Sequence, residues 1–198
     1  MQQGQCRTEF FENHAEGWEE RNYPPETRAK VKEMLEHLNL PQGGTVLDVG
    51  CGEGVLIPFI REIMGLEAKI IALDSSAAML KGAAVKDKSV QIIQARAEAI
   101  PLADEQVDVI ICFSAFPHFQ DKDAAALEFC RVLKPGGTAY VLHLGNREEI
   151  NRHHDSHHAV KGDHLPCPVG MKLIFSNAGF KGLSLEERPG WYFFSAHK

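Results

Sequence analysis

Asp48, Gly50, Gly52 and Gly54 stand in the run Val46-Leu47-Asp48-Val49-Gly50-Cys51-Gly52-Glu53-Gly54. An apolar strand enters a glycine-rich turn and a helix follows. Glycines permit the tight turn and let a ligand lie against bare backbone. The spacing excludes two phosphate-binding motifs. G-x-G-x-x-G would need glycine at position 55, where the chain has Val55, and no Gly-Lys-Ser/Thr follows for a P-loop. Asp74 ends the apolar run Ile70-Ile71-Ala72-Leu73. A carboxylate there can accept hydrogen bonds from both hydroxyls of a ribose. Asp74 could instead cap the next helix, as Ser75 or Ser76 could.

A second set of chemical groups is histidine. His118 lies in Cys112-Phe113-Ser114-Ala115-Phe116-Pro117-His118-Phe119, either facing a substrate or serving structure. His143, His153, His154, His157, His158 and His164 fall in one short stretch. On a helix, His153 and His157 would share one face and His154 and His158 the adjacent one, and such i, i+4 pairs can bind a metal. The same stretch could be the polar wall of a substrate pocket, with one histidine as general base near neutral pH. It could also be a solvated helix. Spacing by fours would align His143, Arg147 and Asn151, with Arg147 available to an anionic group and His143 or His154 to a proton.

The elements that must position these groups alternate. Residues 1–43 read as helices, with Phe10, Phe11, Ala15 and Trp18 at helical spacing, then Val31, Met34, Leu35 and Leu38 after Pro24-Pro25. Strands are expected at 45–49, 69–73, 90–94, 107–113 and 138–144. Helices are expected at 55–64, 76–85 and 124–133, the last stopped by Pro135-Gly136-Gly137. This pattern predicts an open parallel sheet with helices on both faces. The tail predicts a polar helix over 147–158, a helix over 168–178, and strands at 180–187 and 191–197 around Pro189-Gly190, forming an antiparallel hairpin at one sheet edge.

The 198 residues suit one domain. The formal net charge of -6 opposes a nucleic-acid partner. No apolar run approaches the roughly 18 residues of a membrane span, and Met1-Gln2-Gln3-Gly4-Gln5 lacks the features of a signal peptide. Five cysteines without a C-x-x-C pair suggest reduced thiols and a cytoplasmic location.

On these motifs the chain resembles the class I S-adenosylmethionine (SAM)-dependent methyltransferases. Val46–Gly54 looks like the family's first motif, Asp74 like its ribose ligand, and Ala97-Glu98-Ala99-Ile100-Pro101-Leu102 like its D-A-E-x-L-P-F segment. Arg131–Gly137 looks like its turn before strand five, and Phe10–Trp18 like its N-terminal cofactor-covering helix.

The resemblance implies a Rossmann-like, doubly wound, seven-stranded α/β sheet in the order 3-2-1-4-5-7-6, strand 7 antiparallel, with N-terminal helices. It implies SAM as cofactor, held by Asp48, Gly50, Cys51, Gly52, Gly54, Asp74, Ser75, Met79, Ala97, Glu98, Phe113, Ser114 and Trp18. Phe10 and Trp18 would act as a lid. Arg96 stands where the family often has the Asp that accepts from the adenine amino group. Arginine has no acceptor, so this duty would pass to the Ala97 backbone and the Glu98 side chain.

The expected organisation is a lid over 1–43, a cofactor core over 44–145, and a substrate-side insertion with the hairpin over 146–198. The expected function is methyl transfer to a small molecule by a monomer or homodimer, with His154, His143, Arg147 and His118 as candidate catalytic residues. The strand-four exit lacks the N/D-P-P-Y/F/W motif of amide and exocyclic-amine methylation. The alternative is a non-catalytic accessory protein that binds SAM, or a metal through the His143–His164 cluster.

Overall fold

The structure is a computed structural model that describes residues 3–198, with side chains from Thr8 onward. Cys6 therefore lies outside the described side chains, as do the first residues of the N-terminal segment.

Three helices come first: α1 (Gln3–His14), α2 (Trp18–Asn22) and α3 (Pro25–Glu36). The aromatic spacing from Phe10 to Trp18 predicts one continuous helix, but the chain breaks at Gly17, whose φ of 67° is left-handed. Pro25 occupies the first turn of α3, where its missing N–H leaves no helical bond unmade.

The alternating region follows as β1 (Thr45–Val49), α4 (Ile57–Met64), β2 (Lys69–Asp74), α5 (Ala77–Lys86), β3 (Gln91–Gln94), β4 (Val107–Phe113), α6 (Lys122–Val132) and β5 (Leu133–His143). After it come α7 (Arg147–Ser156), α8 (Pro168–Asn177), β6 (Lys181–Arg188) and β7 (Trp191–His197). One seven-stranded sheet runs β3-β2-β1-β4-β5-β7-β6, as expected. The pairs among β1 to β5 are parallel, and β7 is antiparallel to both β5 and β6.

Burial on both faces explains the apolar strands. Leu47, Ile71 and Ile110 face a core shared with Phe129 of α6 and Phe175 of α8. Val46, Ile70 and Val109 face the other core, with Leu35 of α3 and Ile60 of α4.

One boundary differs from expectation. The Pro135-Gly136-Gly137 turn lies within β5 and does not end α6, since Leu133 already pairs with Val107. A Cβ on Gly137 would come within 2.8 Å of the Asp108 carbonyl, so the strand crosses here only as glycine. At the same end Asp108 accepts from the Thr45 N–H at 2.8 Å and from Lys134 Nζ at 2.9 Å, tying β1, β4 and β5 together.

Candidate functional site

The carboxyl ends of β1, β2 and β4 open into one cavity, as a doubly wound sheet dictates. At the β1 exit Gly50 has φ 74°, and its N–H donates to Leu73 O at 2.7 Å. A Cβ on Gly50 would stand 2.3 Å from the Ala115 side chain, whereas one on Gly52 would meet nothing within 4 Å. Gly50 therefore serves packing, and Gly52 leaves bare backbone toward the cavity it lines.

Asp74 accepts from the Gly52 N–H at 3.0 Å and from the Ser76 N–H at 2.9 Å. These bonds fix its carboxylate and leave further lone pairs on both oxygens. The cap of α5 is Ser76, whose hydroxyl accepts from the Met79 N–H at 3.2 Å. Asp74 is thus not the helix cap.

Asp48 is 1% exposed, and its Oδ2 has no hydrogen-bond partner among the described residues. Burial, reinforced by the Asp74 charge, pushes its carboxyl up to about 8. Nearby, Ser114 has a left-handed φ of 54°, a strained geometry for a residue with a side chain. It interacts with the Tyr23 hydroxyl, which burial pushes up to about 12.

On the other side, Arg96 pairs with Glu98 at 2.9 Å and donates to Gln120 Oε1 at 2.7 Å. Glu98 also accepts from the Gln120 N–H at 2.9 Å. The Glu98 carboxylate is therefore spent on local structure.

Helices α1 and α2 cover the cavity. Phe11 and Trp18 line it, with ring centroids 5.5 Å apart. Phe10, expected as a lid residue, stacks instead on His14 at 4.2 Å and props Trp18 from outside. Glu19 also lines the cavity; its buried carboxylate pairs with Arg28 at 2.6 Å and Lys86 at 2.9 Å.

The histidines separate into two groups. His118 sits on the cavity wall, its Nδ1 donating to Asp163 Oδ2 at 2.8 Å. Its ring lies 4.8 Å from that of His154, whose Nδ1 donates to the Asp163 carbonyl. His143 is buried behind them, and burial together with the two neighbouring imidazoles pushes its pKa down to about 3. The rings of His153 and His157 lie 4.2 Å apart, tilted by 38°, at the C-terminal end of α7.

The methyltransferase domain family model matches residues 47–141. The ubiquinone/menaquinone biosynthesis C-methyltransferase UbiE of Francisella tularensis is 32% identical over 119 residues, which cover 56% of this chain and 47% of that protein. The chain thus spans about half the length of the curated relatives it matches.

Among solved structures, a SAM-dependent methyltransferase from Aquifex aeolicus superposes with a TM-score of 0.66 at 23% identity, covering 96% of each chain. A chain of the complex containing the Haloferax volcanii Trm112 methyltransferase activator gives a TM-score of 0.76 at 19% identity, again over 96% of each. Both show the class I methyltransferase fold.

SAM is the cofactor that accompanies this domain, and the methyltransferase cavity fits it. Asp74 offers paired acceptors, Gly52 offers an open backbone, and Asp48 presents a buried oxygen lacking a partner. Asp48, Gly50, Cys51, Gly52, Asp74, Ser75, Met79, Ala97, Glu98, Phe113, Ser114 and Trp18 all line the cavity.

Gly54 does not line it. A Cβ there would strike Ile57 at 2.5 Å and Ala83 at 3.0 Å, so this glycine serves the packing of α4 on α5.

Of the four candidate catalytic residues, only His118 reaches the cavity. His143, Arg147 and Asn151 do not form one helical row, because His143 ends β5 and α7 starts only at Arg147. Asn151 clamps the following loop, exchanging hydrogen bonds with the Leu165 N–H at 2.8 Å and the Leu165 carbonyl at 3.2 Å. Arg147 is half-buried, its N–H on Glu187 and its charge near Tyr192. The pairing of His154 with His158 also fails, since α7 ends at Ser156. Among the described residues no three His, Cys, Asp or Glu side chains stand together as a metal site.

Asp163, Tyr23, Phe11 and Glu19 are among the site residues that sequence reasoning missed. Asp163 is 45 positions from His118, and no local pattern joins them.

Proposed function

We propose that this protein transfers a methyl group from SAM to a small-molecule acceptor. The observation that carries this is the Asp48 oxygen, buried without a partner beside the fixed Asp74 carboxylate and the open face of Gly52. A ligand with a cationic ammonium and a ribose diol satisfies all three groups at once; a nicotinamide dinucleotide lacks the ammonium.

In this reading Asp74 accepts from the two ribose hydroxyls, and Asp48 accepts from the ammonium. The Ala97 backbone serves the adenine amino group alone, because Glu98 is occupied by Arg96 and Gln120. Phe11 and Trp18 exclude water from above. The sulfonium of SAM makes its methyl carbon electrophilic, so the chain's task is chiefly to align and dry the site, and alignment alone can contribute about 7 to 11 kcal/mol.

The chain is read as one domain, with α1 and α2 over the cavity, 44–145 as the cofactor core, and 146–198 on the acceptor side. The relatives are C-methyltransferases, which favours a carbon acceptor over a nitrogen one. The acidic charge balance disfavours nucleic acid as acceptor. No described helix is long and apolar enough to cross a membrane.

Titration calorimetry of the full chain with SAM and with NADH tests the reading. SAM should bind and NADH should not, and Asp74→Ala should weaken SAM by about 2 kcal/mol, near thirtyfold. Binding of NADH without a response to SAM overturns it. A methyl-labelled SAM assay against thiols, amines, phenols and carbon acids then separates an enzyme from a SAM-binding accessory protein.

A further inference from the structure

The acceptor side of the cavity carries a His118–Asp163 pair. His118 closes the turn Phe116–His118 that follows β4, and its backbone N–H donates to Ala115 O at 3.0 Å. This backbone anchor fixes where the ring begins. Asp163 fixes its rotation, because Oδ2 takes the Nδ1–H at 2.8 Å and the Asp163 side chain is 1% exposed. The loop bearing Asp163 is itself held twice, by His154 on the Asp163 carbonyl and by Asn151 on Leu165. With Nδ1 committed as donor, Nε2 of the neutral ring is a bare acceptor. The ring is 17% exposed and lines the same cavity as Asp48 and Ser114.

We infer that His118 Nε2 removes a proton from the methyl acceptor, with Asp163 as the residue that positions it, so the substrate carries an acidic O–H or C–H. This rests on the methyltransferase reading above. The acceptor's O–H or C–H bond breaks as the Nε2–H bond forms. The electron pair left on that oxygen or carbon takes the methyl, and the sulfonium sulfur keeps the pair of its broken bond to carbon. The imidazolium so formed sits against the Asp163 carboxylate, which balances its charge.

The surroundings suit a base. His154 of α7 and His143 of β5 face the ring, and burial pushes both below the ordinary histidine range, so neither adds a competing positive charge at neutral pH. Phe11 of α1 covers the ring from the third side at 5.3 Å. Lys122 of α6 is bound to the Pro117 and Phe119 carbonyls at 2.9 and 3.0 Å, which holds its ammonium on the backbone of this turn. A tertiary amine or pyridine acceptor, having no proton to lose, would leave the pair without a purpose.

Two measurements on the full chain test this. In long-range proton–nitrogen spectra of histidine-labelled protein, the His118 signal is assigned by its loss in His118→Gln. It should show a protonated Nδ1 and a bare Nε2. Asp163→Asn, whose amide can either donate or accept, should weaken this preference and give signals of both tautomers. A protonated Nε2 in the neutral ring overturns the inference.

The second measurement is methyl transfer from labelled SAM to two acceptor panels, one of phenols and hydroquinones and one of pyridines and tertiary amines. Transfer should be confined to the first panel. His118→Gln should lower kcat about a hundredfold and erase the rise of kcat with pH, while SAM affinity stays within about threefold. Equal turnover by His118→Gln, transfer to the second panel, or no transfer to either panel with SAM bound overturns this inference alone. Failure of the wild-type chain to bind SAM overturns the methyltransferase reading as well.

Discussion

Glu12 Oε1 accepts from the Ala77 backbone N–H at 2.6 Å, and Oε2 accepts from Ala78 at 3.1 Å. A side chain of α1 thus satisfies two N–H groups at the first turn of α5, the helix that follows the Asp74 strand. It also places negative charge at the positive end of that helix. Glu12→Ala should cost about 1 kcal/mol, the range of a lost helix cap. Because α1 roofs the cavity, the loss should appear mainly as faster SAM release, about fivefold by stopped-flow fluorescence of Trp18, with a small change in Tm.

Asp48 supplies a pH signature. Burial holds its carboxyl at about 8, far above an ordinary carboxylate, so the ligand-free folded protein grips this proton more tightly than the unfolded chain does. Stability from this group is full at acidic pH and is lost as pH rises toward 8. Asp48→Asn should therefore raise the Tm of the ligand-free protein at pH 8 and change it little at pH 4. An ammonium placed on Asp48 favours the charged form, so SAM binding at pH 7 should release a proton. Calorimetry in buffers of different ionisation enthalpy measures that release, and Asp48→Asn should abolish it.

Gly50 and Gly52 should fail in different ways. Gly50→Ala drives a methyl to 2.3 Å from Ala115 at a left-handed φ. It should cost about 3 kcal/mol of folding stability from strain and overpacking together. Gly52→Ala meets open space, so its penalty is the φ strain of about 1 kcal/mol, and the new methyl enters the cavity. Thermal melts should single out the first variant and SAM titrations the second.

Asn151 makes a test of the loop that carries Asp163. Asn151→Ala removes two hydrogen bonds to Leu165 and should destabilise the fold by about 2 kcal/mol. Hydrogen exchange should rise locally at residues 163–165, with β1 and β4 unaffected.

Much of this arrangement is legible in the residues. Val107–Phe113 and Thr45–Val49 occupy the strands that their apolar runs predict, because burial on both faces leaves no other use for them. The glycine spacing points to Gly52 and Asp74, since the turn and its partner strand are adjacent in the sheet. What escapes is contact across distance. The row of His143, Arg147 and Asn151 assumes one helix, but β5 continues through His143 and α7 starts anew at Arg147, after the cap Asn146, whose side chain accepts from the Glu149 N–H. Phe10 and Phe11 have the same chemistry, and only the pitch of α1 decides which faces inward. Gly54 shares the motif with Gly52, yet it faces Ala83, a residue of α5 that the motif cannot foresee.

Phe11 touches Trp18 at 5.5 Å on one side and His118 at 5.3 Å on the other. One ring therefore borders both the Trp18 side and the His118 side of the cavity. A displacement of Phe11 would expose Trp18 and His118 together. The two sides of the cavity are thus coupled through α1, whose Glu12 also holds the first turn of α5.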